Sequence, residues 1–247
     1  MRKLLRGSKR TDARRLLGAF MVFALLVGAG FAFAAQRQAK VPAAASVLEA
    51  EKGRFRVVLD GATVGSEEFQ ISASGNEWMA TGKVEVKAPG APPAMVNARL
   101  RLTRAGNPVH YEWSAGPDKK ISATVEFQDG GARLAVIREG SEPHLQGFVF
   151  PSPRVIILDN NFYHHYAILA RLYDWKTGGI QSFPVLIPQE LTPGTISVER
   201  LDPQQTGDGK LDVLRVRSPD LEIDLFLDKL RLVRIAVPGS NAEVIRE

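Results

Sequence analysis

His164 and His165 form the only histidine pair in the chain, and paired imidazoles raise the question of a metal site. Their spacing argues against chelation by the pair alone, because neighbours on a helix project about 100° apart whereas two ligands on one helical face need a spacing of three or four. A metal-assisted hydrolase would need the fold to bring His110, His144 or a carboxylate to them. Read locally, His165 sits at the edge of an apolar helix face beside Leu169 and Leu172. His164 faces the side of Arg171 and solvent.

Other candidate chemistry is thinner. Glu67 and Glu68 are adjacent at a strand start, where side chains point to opposite faces and cannot act together as acid and base. Asp202 to Asp212 contains a D-G-x-x-D fragment. With Gly209 as the invariant glycine of a calcium loop, Asp208 and Asp212 fit, but Gln204, Thr206 and Arg215 stand where the other ligands belong. That stretch reads as a polar hairpin loop. There is no cysteine, no G-x-S-x-G elbow and no H-E-x-x-H helix, so no catalytic residue, metal or cofactor is assigned and the expectation is a non-enzyme.

Aromatic content is the remaining signal. Phe148, Phe150, Phe162, Tyr163, Tyr166, Tyr173, Trp175 and Phe183 fall within one stretch and supply either a core or the wall of an apolar pocket. The ligand-binding candidates are Phe162, Tyr166, Leu169, Tyr173 and Phe183.

These residues need elements to position them. Asp159-Asn160-Asn161 offers N-cap side chains for a helix over about 162–174, whose broad aromatic face holds Phe162, Tyr166, Leu169, Ala170 and Tyr173. Around it the pattern is β. Alternating segments run over 55–59, 67–73, 77–87, 94–104, 110–114, 121–128, 133–138, 145–150 and 154–158, then over 183–187, 195–201, 211–217, 221–227 and 230–237. Asp60-Gly61, Ala105-Gly106-Asn107-Pro108 and Asp129-Gly130-Gly131 supply hairpin chemistry. Ala98, Leu100 and Leu102 share one face of their strand, with Arg99, Arg101 and Arg104 mainly toward the other. The fold class expected is mainly β, a single curved antiparallel sheet (half-barrel or open barrel) with one helix on its concave side.

Ahead of this domain, seven Lys or Arg within the first fifteen residues run into an apolar stretch from Leu16 to Ala35. Such a junction keeps the head in the cytoplasm and exports the chain beyond the apolar stretch. Ala32-Phe33-Ala34 matches a signal-peptidase site, while the length of the stretch also suits a membrane anchor. Arg14-Arg15 faintly resembles a twin-arginine signal, although an ordinary Sec signal or anchor accounts for it. The domains expected are thus 1–35 as signal peptide or N-terminal transmembrane helix, 36–50 as linker and 51–247 as the exported β-rich domain.

The leader also corrects the charge. The chain's net charge is +5, residues 1–38 carry 8 − 1 = +7, and the remainder therefore carries 5 − 7 = −2. A near-neutral domain with interspersed charges excludes counterion-release binding to nucleic acid. Without cysteine it gains no disulfide in an oxidising compartment and must rely on packing.

The hairpin Phe55-Arg56-Val57-Val58-Leu59-Asp60-Gly61-Ala62-Thr63-Val64-Gly65-Ser66-Glu67-Glu68-Phe69 resembles bacterial exported domains of unknown function, which open on an aromatic strand and a G-x-x-V-G turn. Leu225 to Ile235 resembles their last hairpin, with Lys229-Leu230 where a glycine is expected. Such domains are similar to the half-barrels of periplasmic lipoprotein carriers. The resemblance implies a curved sheet around helices over an apolar cavity, and an envelope location. It carries over no catalytic residues.

The functional expectation is a periplasmic or membrane-tethered module binding a lipophilic ligand or acyl chain. The alternative is an envelope structural or protein-interaction module using a sheet edge or face, and after it the metal-assisted hydrolase. Membrane contact would run through residues 16–35 if they are retained.

Overall fold

Among the described residues fifteen strands join into one sheet, and the first and last of them lie side by side in its middle. The computed structural model describes residues 46–87, 93–116, 120–207 and 209–247. The basic head, the apolar stretch, its A-x-A site and most of the linker lie outside them. No helix among the described residues is long and apolar enough to cross a membrane.

The first eight strands form a meander: β1 Glu51–Leu59, β2 Ala62–Ser74, β3 Glu77–Val86, β4 Ala94–Thr103, β5 Pro108–Ala115, β6 Ile121–Gln128, β7 Gly131–Arg138 and β8 His144–Val149. A short β9, Ile156–Ile157, leads through the helix α1, His164–Leu172, into β10, Ile180–Ile187. The second meander comprises β11 Thr192–Thr206, β12 Gly209–Arg217, β13 Glu222–Asp228, β14 Arg231–Ala236 and β15 Ala242–Arg246. β15 returns between β14 and β1, which leaves β8 and β9 as the two edges.

Those edges are close in sequence, and this sets the curvature. Only the six residues from Phe150 to Val155 connect β8 to β9, and six residues reach at most about 20 Å. Fifteen strands at roughly 4.8 Å spacing would spread over about 70 Å if flat. The sheet must therefore curl until its edges nearly meet, yet they do not pair and the barrel stays open. One pair departs from the antiparallel expectation. β9 and β10 run parallel, with Val185 opposite Ile156, because α1 provides the crossover that a parallel connection requires.

Turn chemistry acts where the sequence puts it. Asp60 and Gly61 both have positive φ, and Leu59 pairs with Ala62, a two-residue hairpin of the primed kind. Asp129 and Gly130 repeat this between β6 and β7. The glycine-free turn between β13 and β14 is just as tight: Lys229 and Leu230 take φ 48° and 69°, and Asp228 pairs with Arg231.

The interior is a single apolar cluster fed by alternate residues of the strands, with α1 inside it. Helix and sheet correct the expectation in two ways. α1 is shorter than 162–174, and its buried residues run nearly all round it, including His164, His165, Ala167, Ile168, Leu169, Ala170 and Leu172. A sheet curled around a helix leaves it no wet face. β15 has no counterpart among the expected strands: in Ala242-Glu243-Val244-Ile245-Arg246 only Val244 is fully buried, so the alternation is too brief to register.

Candidate functional site

The site centres on the N-terminal end of α1, where two strands, a loop and a 3-10 turn deliver polar groups into an apolar interior. Glu67, on β2, points inward between Gly65 and Phe69 and is fully buried, while its neighbour Glu68 is exposed. Its Oε2 accepts hydrogen bonds from the backbone N–H groups of Tyr163 (2.8 Å) and His164 (3.0 Å). Its Oε1 accepts from His164 Nδ1 at 2.5 Å. A helix start leaves N–H groups unsatisfied and carries partial positive charge, so a carboxylate suits this position. The expected local cap is absent: Tyr163 stands at the N-cap with no side-chain cap bond. Glu67 does that work from ninety-six residues away.

His164 is therefore not solvated. It is 0% exposed, stacked 6.0 Å from Phe69 and edge-on to Phe162. His165 is 1% exposed, and its ring centroid lies 4.4 Å from that of His164. Its Nδ1 accepts from the backbone N–H of Asp159 at 3.2 Å. Burial, then the neighbouring His164, holds His165 well below its ordinary pKa of 6.5. The Nε2 atoms of both rings are buried and unpaired among the described residues.

Asp159 continues the network. Its Oδ2 accepts from the Tyr111 hydroxyl of β5 at 2.6 Å, and its Oδ1 accepts from the backbone N–H groups of Asn160 (3.1 Å) and Gln189 (2.9 Å). Gln189 lies in a single 3-10 turn, Pro188–Glu190. Burial pushes the Asp159 carboxyl up from 3.8 to about 6, with these donors acting against the rise. Tyr111 is pushed well above its ordinary value by burial and by Asp159.

The opposite end of α1 is held by charge as well. Arg171 reaches Glu49 at 3.0 Å and Glu51 at 3.4 Å, and Glu51 also binds Arg246 of β15. The Arg246 guanidinium passes over Gly53 and lies 5.1 Å from the ring centre of Phe69. Two inward carboxylates, Glu51 and Glu67, thus clamp the helix onto the β1–β2 hairpin. Sequence reading assigned neither this role, since an acid on a strand does not announce what stands above it.

Above the network is a cleft of about 610 Å³. The segment Leu158–Tyr163 and Tyr166 form one wall, β10 and β11 another, and the turn Ser218–Leu221 between β12 and β13 its rim. Its apolar lining includes Phe162, Tyr166, Val185, Ile196 and Ile223, and its volume is in the range of small-molecule sites. Burial pushes the Tyr166 hydroxyl up to about 12.

Of the ligand-binding candidates, Phe162 and Tyr166 line this cleft. Leu169, Tyr173 and Phe183 are buried in the core away from it. Phe148 and Phe150 pack on each other, and Tyr173 on Trp175. His110 and His144 do not join the histidine pair: His110 binds Glu126 at 2.7 Å on the sheet surface and His144 is exposed. No group of three or more metal-ligating side chains forms among the described residues. The Asp202 to Asp212 stretch lies in the β11–β12 hairpin, where Asp212 binds Arg200 and Arg215 binds Asp224. A broader depression crosses β2–β6, with the cations Lys83 and Arg99 flanked by the carboxylates Glu68 and Glu112 along it.

No protein-family model matches this sequence, and no curated protein matches it. The chain is similar in structure to a β-barrel-like protein of a domain of unknown function, DUF1849, from Brucella abortus. The TM-score is 0.53 at 9% identity, covering 81% of this chain and 95% of that one. The likeness extends to the fold alone.

Proposed function

We propose that this protein is an exported, envelope-located binding module that holds a lipophilic molecule in the cleft beside α1. The observation that carries the reading is the cleft itself: about 610 Å³, walled by Phe162, Tyr166, Val185, Ile196 and Ile223, and backed by a rigid hydrogen-bonded floor at Asp159. A concavity with a mainly apolar wall is what such ligands require. The basic head and apolar stretch support export, to the periplasm or the periplasmic face of the inner membrane, and the open curled sheet supports the likeness to lipoprotein carriers.

The test is native mass spectrometry of the chain recovered from an exporting host, with binding of the neutral fluorophore 1-N-phenylnaphthylamine read in parallel. Tyr166→Ala should weaken probe binding several-fold at a temperature where the variant is still folded, with a lowered thermal midpoint from the lost packing. A chain that brings no apolar molecule with it and leaves the fluorophore dark defeats the reading, and protease protection in spheroplasts defeats the location.

One observation favours a second reading, an envelope protein-interaction module. Edge strand β8 contains no Lys, Arg, Asp, Glu or Pro and exposes Leu145 (73%) and Val149 (92%). Unprotected edges accept added strands. Leu145→Lys should then abolish cross-linking to a partner in whole cells, and unchanged cross-linking would count against it.

A further inference from the structure

The cleft has a sign. Three carboxylates line it, Asp159 at the floor and Glu190 and Asp220 nearer the mouth, and no Lys, Arg or His is among its lining residues. The arginine next to the rim residue Ser218 is engaged elsewhere: Arg217 binds Glu199 at 2.8 Å and Glu222 at 2.7 Å. Glu190 is held in place by the Asn160 side chain, which donates to its Oε1 at 2.9 Å. The aromatic side chains of Phe162, Tyr163 and Tyr166 complete the wall.

An anionic amphiphile is poorly served by this arrangement. Its head would meet like charge with no counter-cation, in a site partly shielded from water, and that costs binding free energy. An organic cation with an apolar body has complementary partners for both parts. Carboxylates meet the charge, aromatic faces attract it through their quadrupoles, and the apolar wall takes the chain.

Resting on the proposed binding reading, we infer that the ligand class of the cleft is a cationic amphiphile, an amine or quaternary ammonium carrying a hydrocarbon chain, rather than a fatty acid. The site therefore discriminates by head-group charge while its apolar wall tolerates variation in the chain.

Three ten-carbon probes below their micellar concentrations separate the possibilities: decyltrimethylammonium, 1-decanol and decanoate, each displacing 1-N-phenylnaphthylamine from the chain recovered from an exporting host. Decyltrimethylammonium should displace the fluorophore at least ten-fold more effectively than decanoate, with 1-decanol between them. Raising salt should narrow that ratio. The double variant Glu190→Gln/Asp220→Asn should bring it below about three-fold. Glu68→Gln/Glu112→Gln, which removes the same charge at the outer depression, should leave it alone. Equal or better displacement by decanoate overturns the inference while the binding reading stands, as does a ratio unaffected by the cleft variant. Failure of the fluorophore to bind at all defeats the binding reading, and this inference with it.

Discussion

Glu67 and His164 are joined twice, through the His164 backbone N–H at 3.0 Å and its Nδ1–H at 2.5 Å, both to the same fully buried carboxylate. One strand residue thereby caps the helix and orients its first side chain. The arrangement fixes where α1 sits in the curled sheet and, with it, the wall of the cleft.

Removing one partner leaves the other buried and unsatisfied. Glu67→Gln is expected to lower unfolding free energy by about 3 kcal/mol. In a double-mutant cycle with His164→Leu and Glu67→Met, the double variant should lose about 2 kcal/mol less than the sum of the singles. Urea denaturation measures this, and additive losses would show that the two side chains act independently.

Gly82 is required by the same contact. A Cβ there would lie 2.7 Å from Glu67 Oε1, 2.8 Å from His164 Cε1 and 2.9 Å from Phe162 Cδ1. Gly82→Ala should cost roughly 1–3 kcal/mol by overpacking. Gly147→Ala, on the open edge strand with nothing within 4 Å, should be neutral or stabilising by a few tenths of a kcal/mol. Equal thermal shifts for the two would contradict the geometry.

Asp159 and His165 should tilt stability in opposite directions with pH. Because Asp159 is raised from 3.8 to about 6, the folded chain keeps a proton there that the unfolded chain has released. Its contribution favours folding below 3.8 and is lost as pH rises through 6. His165 is lowered from 6.5, so the unfolded chain takes up the proton first and folding weakens as pH falls below 6.5. Asp159→Asn, whose Nδ2 can donate to the Tyr111 oxygen, should lose stability more steeply than the parent between pH 7 and 4.5. His165→Asn should lose it less steeply. Urea midpoints at several pH values decide, and parallel profiles would refute both assignments.

The turn at Lys229-Leu230 places two non-glycine residues at positive φ. Replacing the pair with Asn-Gly, the preferred residues for a primed hairpin turn, should raise stability by about 1 kcal/mol. A lowered thermal midpoint would mean that Leu230, which is half-buried, contributes more by packing than its backbone costs.

Much of the sheet was legible because alternation reports facing directly. Ala98, Leu100 and Leu102 turn inward as their spacing requires, and Asp60-Gly61 and Asp129-Gly130 make the hairpins their φ tolerance suits. The site was legible only in part. Phe162 and Tyr166 line the cleft, but Leu169, Tyr173 and Phe183 share their character and lie in the core, since apolar residues in a pocket and in a core obey the same pattern. His164 looked solvated because it falls toward Arg171 on the helix, whereas its partner comes from β2.

By itself the sequence determined the strand and hairpin succession as far as β14, the single described helix, the absence of cysteine and the near-neutral balance after residue 38. Those are local or additive properties, readable from period, turn residues and counts. Tertiary structure decided that β15 returns beside β1, that six residues draw the edges together, and that Glu67 and Glu51 clamp the helix. It also decided which carboxylates face the cleft. A two-residue period tells which side of a strand is dry, but not which distant side chain arrives there.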